Sequence, residues 1–365
     1  MSFNPTASQP LLLVALSGGV DSAVALHFAR QASPFVVALT HRHWPESRCC
    51  TTECIDHCRD QAKKWNVPFY SIDTLAFFTE TIVDPWAQAY QKGITPNPCV
   101  QCNEKNRFGK MVEAFFAKYP HYQTEHYKLV TGHYVQTESW NNKILLRRGL
   151  DPSKDQSYML YRLSQKQLKH SWFPVGSHQK KDIRALAQEL DLWAAKQQDS
   201  QDICFVPDDY RNFWSEYTGI QPLSGNFVDI SGKVLGKHKG IPFYTRGQRK
   251  GLGLSGGPWY VLEVLPQTNQ VVLGKDEDLF TQHFFCTEMV WHIPLPTEAL
   301  ECEIQVRYHG TLLKGKVTPL NSTQSQVHLD LASRDVTPGQ SAVFYSGDLV
   351  LGGGLIQLHS QDSEI

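Results

Sequence analysis

The sequence contains no hydrophobic run of bilayer length. Its first apolar stretch, Leu11–Leu16, is far shorter than the ~20 apolar residues that a spanning helix needs. It follows a polar Met1–Pro10 segment that lacks a secretory cleavage pattern, so no membrane partner is expected. Charge of either sign is also missing in excess: 35 Lys and Arg face 36 Asp and Glu, a formal net charge of −1. A whole-surface nucleic-acid footprint is thereby disfavoured, although a local basic cluster can still hold phosphates. Solenoid-length repeats and low-complexity tracts are absent. The nine cysteines (Cys49, Cys50, Cys54, Cys58, Cys99, Cys102, Cys204, Cys286 and Cys302) are odd in number and irregular in spacing, unlike a disulfide framework. They point to a reducing, cytoplasmic setting, where thiols serve packing, metals or catalysis.

What is present is enough for several folded bodies. A chain of 365 residues, 41% hydrophobic and 19% charged, exceeds one average core, so two or three domains are expected. Leu11–Leu16, Pro34–Thr40, Pro68–Asp73 and Leu129–Gly132 read as buried strands. Helical patterns at Val20–Gln31 and Thr52–Trp65 lie between them. Alternating strand and helix predicts an α/β fold with a parallel sheet, whose ligands sit at the carboxyl ends of the strands. After about Val206 the character changes. Gly225–Gly257 is rich in glycine and has short β-like runs, among them Ile241–Tyr244; from Phe284 to Ile356 short alternating strands predict a compact barrel. The expected division is 1–208, an α/β domain; 209–278, a small β-rich domain; and 279–365, a C-terminal β-barrel.

Ser17-Gly18-Gly19-Val20-Asp21-Ser22 joins the first strand to the first helix. Its glycines allow a tight turn whose amides face an anion, and the helix N-terminus adds partial positive charge. The hydroxyls of Ser17 and Ser22 can donate to phosphate. Asp21 beside a phosphate makes sense if Mg²⁺ lies between them. The string resembles the loop of ATP enzymes that adenylate a carbonyl oxygen and release pyrophosphate. It lacks the lysine of phosphoryl-transfer P-loops.

Thr95–Asn103 carries Cys99-Val-Gln-Cys102 behind two prolines, a spacing suited to redox chemistry, a low-pKa thiolate or metal ligation. Asp199–Phe205 offers Cys204. Cys50, Cys54 and Cys58 share one helical face and read as packing residues, since no second Cys-x-x-Cys completes a zinc site. Cys286 and Cys302 read as core residues. Between Val228 and Lys250, Lys233, Lys237, Lys239, Arg246, Arg249 and Lys250 oppose one acid, Asp229, and form a candidate phosphate-holding patch. Phe243, Tyr244, Trp259 and Tyr260 nearby suit either base stacking or a core.

The ordered strings Ser17–Ser22, Thr131–Tyr134, Leu150–Tyr158, Phe173–Gly176, Asp199–Phe205, Phe243–Gly253, Gly256–Tyr260, Pro338–Gln340 and Leu351–Gly354 resemble, over nearly the whole chain, the tRNA-specific 2-thiouridylases (MnmA family). The resemblance implies ATP-dependent 2-thiolation of the wobble uridine of tRNA. The C2 oxygen would be adenylated, persulfide sulfur transferred, and AMP and pyrophosphate released. It implies Cys102 as nucleophile and Cys204 as persulfide carrier, the two forming a transient disulfide, with Mg²⁺ accompanying ATP. Nucleotide contacts carry over to Ala15, Leu16, Ser17, Gly18, Gly19, Val20, Asp21, Ser22, His41 and Gly132, the contact at His41 being through its backbone. Contacts to tRNA carry over to Asn97, Pro98, Cys99, His133, Lys154, Asp155, Gln156, Arg307, Tyr308 and Gln340. The sulfur donor implied is a persulfide-bearing protein, a cysteine desulfurase or a relay protein. Many members of the family carry aspartate where this chain has Cys99. The thiol could handle protons there, or Cys99, Cys102 and Cys204 could hold an iron–sulfur cluster with one open iron. Two other classes fit parts of the sequence. An amide or guanidine synthetase would use the loop without the cysteine pair; a tRNA-binding module without catalysis would need neither.

Overall fold

The computed structural model describes residues 4–45, 51–196 and 203–359. Cys49, Cys50 and the Asp199–Asp202 part of the Cys204 string lie outside the described residues. The backbone falls into two compact units. One comprises Met1–Ile82, Cys99–Pro207 and Asp348–Val350; the other comprises Val83–Pro98, Asp208–Gly347 and Leu351–Ile365.

The first unit is built on a parallel sheet. Strands β1 (Leu11–Leu16), β2 (Val36–Arg42), β3 (Phe69–Asp73) and β4 (Tyr127–Val130) belong to it, as does the short strand β7 (Ser171–Trp172); their order is β3-β2-β1-β4-β7. Leu11, Leu13 and Val14 are fully buried, as expected of a strand that packs on both faces. Helix α1 (Val20–Ala32) starts four residues after β1 and buries Val24, Ala25 and Leu26. It shares an apolar cluster with Ile183 and Ala187 of the Lys180–Glu189 helix. Helix α2 (Thr52–Lys64) is N-capped by Thr51, whose side chain accepts from the backbone N–H of Cys54 at 3.2 Å. On α2, Cys58 is buried and its thiol is pushed up to about 12 by desolvation, which suits packing rather than chemistry.

One hairpin of this unit was not legible in the sequence: β5 (Val135–Trp140) and β6 (Lys143–Arg148). Its two-residue turn, Asn141-Asn142, has both φ values positive (45° and 61°), the conformation that matches strand twist. A second surprise is the helix that begins at Pro98. Its stretch Cys102–Lys110 is wound as π-helix before α-geometry resumes at Met111–Lys118.

The second unit holds two β-structures. Strands β8 (Gly225–Asp229), β9 (Val234–His238), β10 (Tyr260–Leu265) and β11 (Gln270–Gly274) form a small sheet in the order β10-β11-β8-β9. Ile241–Phe243, expected as a β-like run, is instead a short 3₁₀ turn; Pro242 has no N–H for a ladder bond. Strands β12 (Thr281–Trp291), β13 (Leu300–Gln305), β14 (Leu313–Pro319), β15 (Ser325–Ser333), β16 (Ser341–Ser346) and β17 (Leu349–Gln357) run in the order β12-β15-β14-β13-β16-β17. Strand β12 pairs back on β17 and closes the barrel. Its interior includes Phe284, Cys286, Val327, Leu329 and Phe344, all fully buried. No helix among the described residues is long and apolar enough to cross a membrane.

The Asp84–Gln91 helix also belongs to this second unit. Trp86 packs on Phe213 (ring centroids 5.6 Å apart), and the Trp214 indole N–H donates to the carbonyl of Ala87 at 2.9 Å. Trp214 is 1% exposed. Replacing it with alanine leaves a cavity and should cost ~3–5 kcal/mol. Trp214→Phe should cost less than half of that. Urea unfolding followed by circular dichroism checks both.

Candidate functional site

The carboxyl ends of β1, β2 and β4 carry most of the expected residues of the first unit. Between β1 and α1, Gly18 has φ +76°, a left-handed conformation that a side chain would strain. Ser22 closes the loop: its hydroxyl donates to the carbonyl of Gly19 at 2.9 Å and accepts from the backbone N–H of Ser17 at 3.2 Å. The Ser17 and Ser22 hydroxyls lie 3.2 Å apart. Gly132, just past β4, presses on the same turn. A Cβ placed on it would stand 2.6 Å from the backbone of Asp21 and Ser22, so the residue type is set by the approach of two main chains. Ala15 and Leu16 end β1, and Gly19 and Val20 open α1; the loop thus brings the expected nucleotide residues together.

Asp21 is held from two sides. Lys180 Nζ stands 2.8 and 2.7 Å from its two oxygens, and the Tyr134 hydroxyl donates to Oδ1 at 2.8 Å. Neither partner was read from the sequence; a lysine more than 150 positions away gives no local signal.

His41 is the penultimate residue of β2, and its side chain is buried with Nε2 2.6 Å from Thr74 Oγ1. Two positions on, His43 Nδ1 lies 3.2 Å from the carbonyl oxygen of His41. A carbonyl only accepts, so Nδ1 carries a proton and donates to it. The His43 Nε2 lies 3.4 Å from Cys204 Sγ. His43 is 2% exposed and packs edge-on against Phe78. Phe205, beside Cys204, is buried against Phe78 and Trp44. Cys204 is therefore tied to the carboxyl end of β2, the strand next to the one that carries the phosphate loop.

Cys99 and Cys102 lie near the start of the helix that begins at Pro98, and both are half-buried. Farther along that helix, the Arg107 guanidinium lies 3.4 Å from His133 Nε2. Arginine only donates, so Nε2 accepts and the His133 proton sits on Nδ1, 2.8 Å from Thr131 Oγ1. Burial, with Arg107 adding to it, holds the His133 pKa down at about 3, and the ring is neutral. Among the described residues no three His, Cys, Asp or Glu side chains stand as a metal-holding group. The described cysteines form no disulfide.

Gln156 Oε1 accepts from the Tyr134 backbone N–H at 3.0 Å. Asp155 is buried; its oxygens accept from Gly149, Ser157 N–H and Ser157 hydroxyl, a local capping role. Lys154 lies in the turn before them, with its backbone N–H bonded to the carbonyl of Asp151. In the second unit, Gln340 donates from Nε2 to the carbonyl of Thr95 at 2.8 Å, close in sequence to Asn97 and Pro98. Arg307 and Tyr308 lie beyond the end of β13; Arg307 is exposed and paired with Asp335 at 3.0 Å.

The basic stretch divides. Lys233, Lys237, Lys239, Arg249 and Lys250 are exposed. Arg246 is not part of such a patch: it donates to the carbonyls of Val336, Leu262 and Leu279 and to Thr281 Oγ1, and burial lowers its pKa. Tyr244 is likewise committed to the core, edge-on to Phe227.

His133 makes one pH effect calculable. Its folded pKa lies below the unfolded value of 6.5, so the unfolded chain binds the proton first. Above pH 6.5 the group has no effect; stability falls as pH drops from there toward about 3. His133→Gln should flatten the decline of the urea midpoint between pH 6.5 and 4, whatever it does at pH 8.

Three family models match in sequence. The HUP domain described as tRNA methyl transferase matches residues 11–208, its PRC-barrel domain matches 211–275, and the aminomethyltransferase β-barrel domain matches 281–356. The tRNA-specific 2-thiouridylase MnmA 2 of Thermoanaerobacter sp. (strain X514) is 39% identical over 94% of this chain and 97% of its own. The tRNA-specific 2-thiouridylase MnmA of Clostridium kluyveri is 36% identical over 94% of this chain and 98% of its own. A solved U34-tRNA thiolase NcsA of Methanococcus maripaludis, with its [4Fe-4S] cluster, aligns at a TM-score of 0.33 and 16% identity over 58% of this chain and 66% of that one, too distant to carry an argument. By the three domain matches and by identity along almost its whole length, the chain belongs to the MnmA family of tRNA-specific 2-thiouridylases.

Proposed function

We propose that the chain is an ATP-dependent tRNA sulfurtransferase that thiolates the C2 position of the wobble uridine. The observation that carries this reading is the placement of Cys204 at the carboxyl end of β2, through His43, beside the strand that ends in the Ser17–Ser22 loop. An activated nucleotide and a sulfur carrier then share one edge of the sheet, where parallel sheets bind their ligands.

The steps balance as follows. The uridine O2 attacks the α-phosphorus of ATP and pyrophosphate leaves. A persulfide-bearing donor protein, a desulfurase or relay protein, hands its outer sulfur to the Cys204 thiolate. The terminal sulfur of the resulting Cys204 persulfide attacks C2, and AMP departs with O2. The Cys102 thiolate then attacks the Cys204 sulfur, breaking the S–S bond. The thiocarbonyl stays on the uridine, and a Cys102–Cys204 disulfide awaits a thiol reductant. Mg²⁺ accompanies ATP. The work is divided as 1–208 for nucleotide and sulfur chemistry, 209–278 for tRNA binding and 279–365 for the barrel. Asn97–Cys99, His133, Lys154–Gln156, Arg307, Tyr308 and Gln340 are the expected tRNA contacts. Of these His133 takes part as a neutral group, and Asp155 through the turn it holds. The setting is cytoplasmic.

Two measurements test this. Nucleosides from tRNA incubated with protein, ATP and a persulfide donor are analysed by mass spectrometry. Cys102→Ser and Cys204→Ser should each lower 2-thiouridine formation by about 10³-fold or more while ATP binding stays within about 3-fold. A Cys204→Ser protein that still thiolates would end the proposal. Separately, Arg249→Gln with Lys250→Gln should weaken tRNA binding and lower the slope of log K against log salt by up to roughly 2.

A further inference from the structure

Asp21 is the one acid in the phosphate loop. In the first turn of α1 the helix dipole favours it, yet it stands where a triphosphate would approach. A bare carboxylate there opposes the ligand. Mg²⁺ between acid and phosphate is one answer to that difficulty; the structure provides another, made of protein. Lys180 Nζ reaches both carboxylate oxygens, at 2.8 and 2.7 Å, and the Tyr134 hydroxyl donates to one of them at 2.8 Å. The same ammonium lies 5.6 Å from the centre of the Tyr134 ring. Lys180 is 7% exposed and Tyr134 2%. The lysine also starts from a fixed point. It is the first residue of its helix, and its backbone N–H donates to Oδ2 of buried Asp151 at 3.0 Å, whose Oδ1 accepts from Ser153 N–H and hydroxyl.

We propose that Lys180 is a positioning residue of the nucleotide site. It cancels the charge of Asp21 and, with Tyr134, fixes the first turn of α1, so that the loop amides meet phosphate with no anion opposing them. Asp21 on this account is no metal ligand, and Mg²⁺ arrives held by the phosphates of ATP. Three features argue for this over an incidental surface pair: both carboxylate oxygens are engaged, the cation is almost wholly buried, and two separate chain segments converge on one carboxylate. Removing the ammonium alone leaves an acid facing the triphosphate; removing both members leaves none. The inference rests on the reading of Ser17–Ser22 as an ATP loop.

The test uses the full chain with ATP alone and with ATP plus tRNA, over a series of Mg²⁺ concentrations. Wild type, Asp21→Asn, Lys180→Met, Lys180→Arg and the Asp21→Asn/Lys180→Met double variant are compared for ATP affinity, KM for ATP, KM for tRNA and kcat. Lys180→Met should weaken ATP by about tenfold or more and leave the KM for tRNA within about twofold. Lys180→Arg should restore most of that affinity. Adding Asp21→Asn to Lys180→Met should recover most of the ATP affinity that Lys180→Met alone loses, with the Mg²⁺ dependence unchanged in every variant. A purely structural lysine would instead lower kcat and both KM effects together, and the double variant would not recover. If Asp21→Asn loses Mg²⁺-dependent ATP binding by tenfold or more, Asp21 holds the metal and the inference is overturned. That result remains decisive even where Lys180→Met fails to fold. Failure of the wild type to bind ATP would instead remove the ATP-loop reading itself.

Discussion

A charge placed where two main chains almost touch governs the nucleotide end of the first unit. Gly132 comes so close to Asp21 and Ser22 that no side chain fits between them. Asp21 beside this contact is part-buried, and the fold supplies its partners. They are Lys180 and Tyr134. The loop conformation, the entry angle of α1 and the placement of the β4 end are therefore one arrangement. A change to any of them strains the other two, because the buried Lys180 ammonium without its carboxylate is costly.

Desolvation decides what many other polar groups in this protein can do. It strips His133 of its charge and leaves it a neutral hydrogen-bonding ring between Thr131 and Arg107. It raises the Cys58 thiol out of the reactive range, while Cys204 stays half-buried beside the His43 ring nitrogen. It also turns Arg246 from a presumed phosphate binder into a brace across three backbone carbonyls. Residue type alone would rank these groups alike; burial separates the chemical from the structural ones.

That separation marks what the sequence could show. The strand, loop and helix from Leu11 to Ala32 were legible because apolar continuity, glycine and helical periodicity all lie within one short window. The parallel sheet and the closed barrel followed from the same kind of local pattern. The partnership of Lys180 with Asp21 and that of His43 with Cys204 were not legible, since each joins residues more than 150 positions apart. Arg246 misled because a basic run looks the same whether its members face solvent or carbonyls. The β5–β6 hairpin was missed because its outer strand, Val135–Trp140, is mostly exposed and shows little apolar alternation. The π-helical stretch at Cys102–Lys110 has no clear signature in composition.

The Asp84–Gln91 helix lies early in the chain but packs on residues of the Tyr210–Thr218 helix. The ribosome therefore releases Trp86 well before Phe213 and Trp214 exist to cover it. At ordinary synthesis rates that interval is on the order of ten seconds. A nascent chain thus carries an uncovered indole and phenol face, Trp86 and Tyr90, through much of its own synthesis. Cutting the chain after residue 208 would make that condition permanent, so a fragment ending there is a poor stand-in for the whole enzyme.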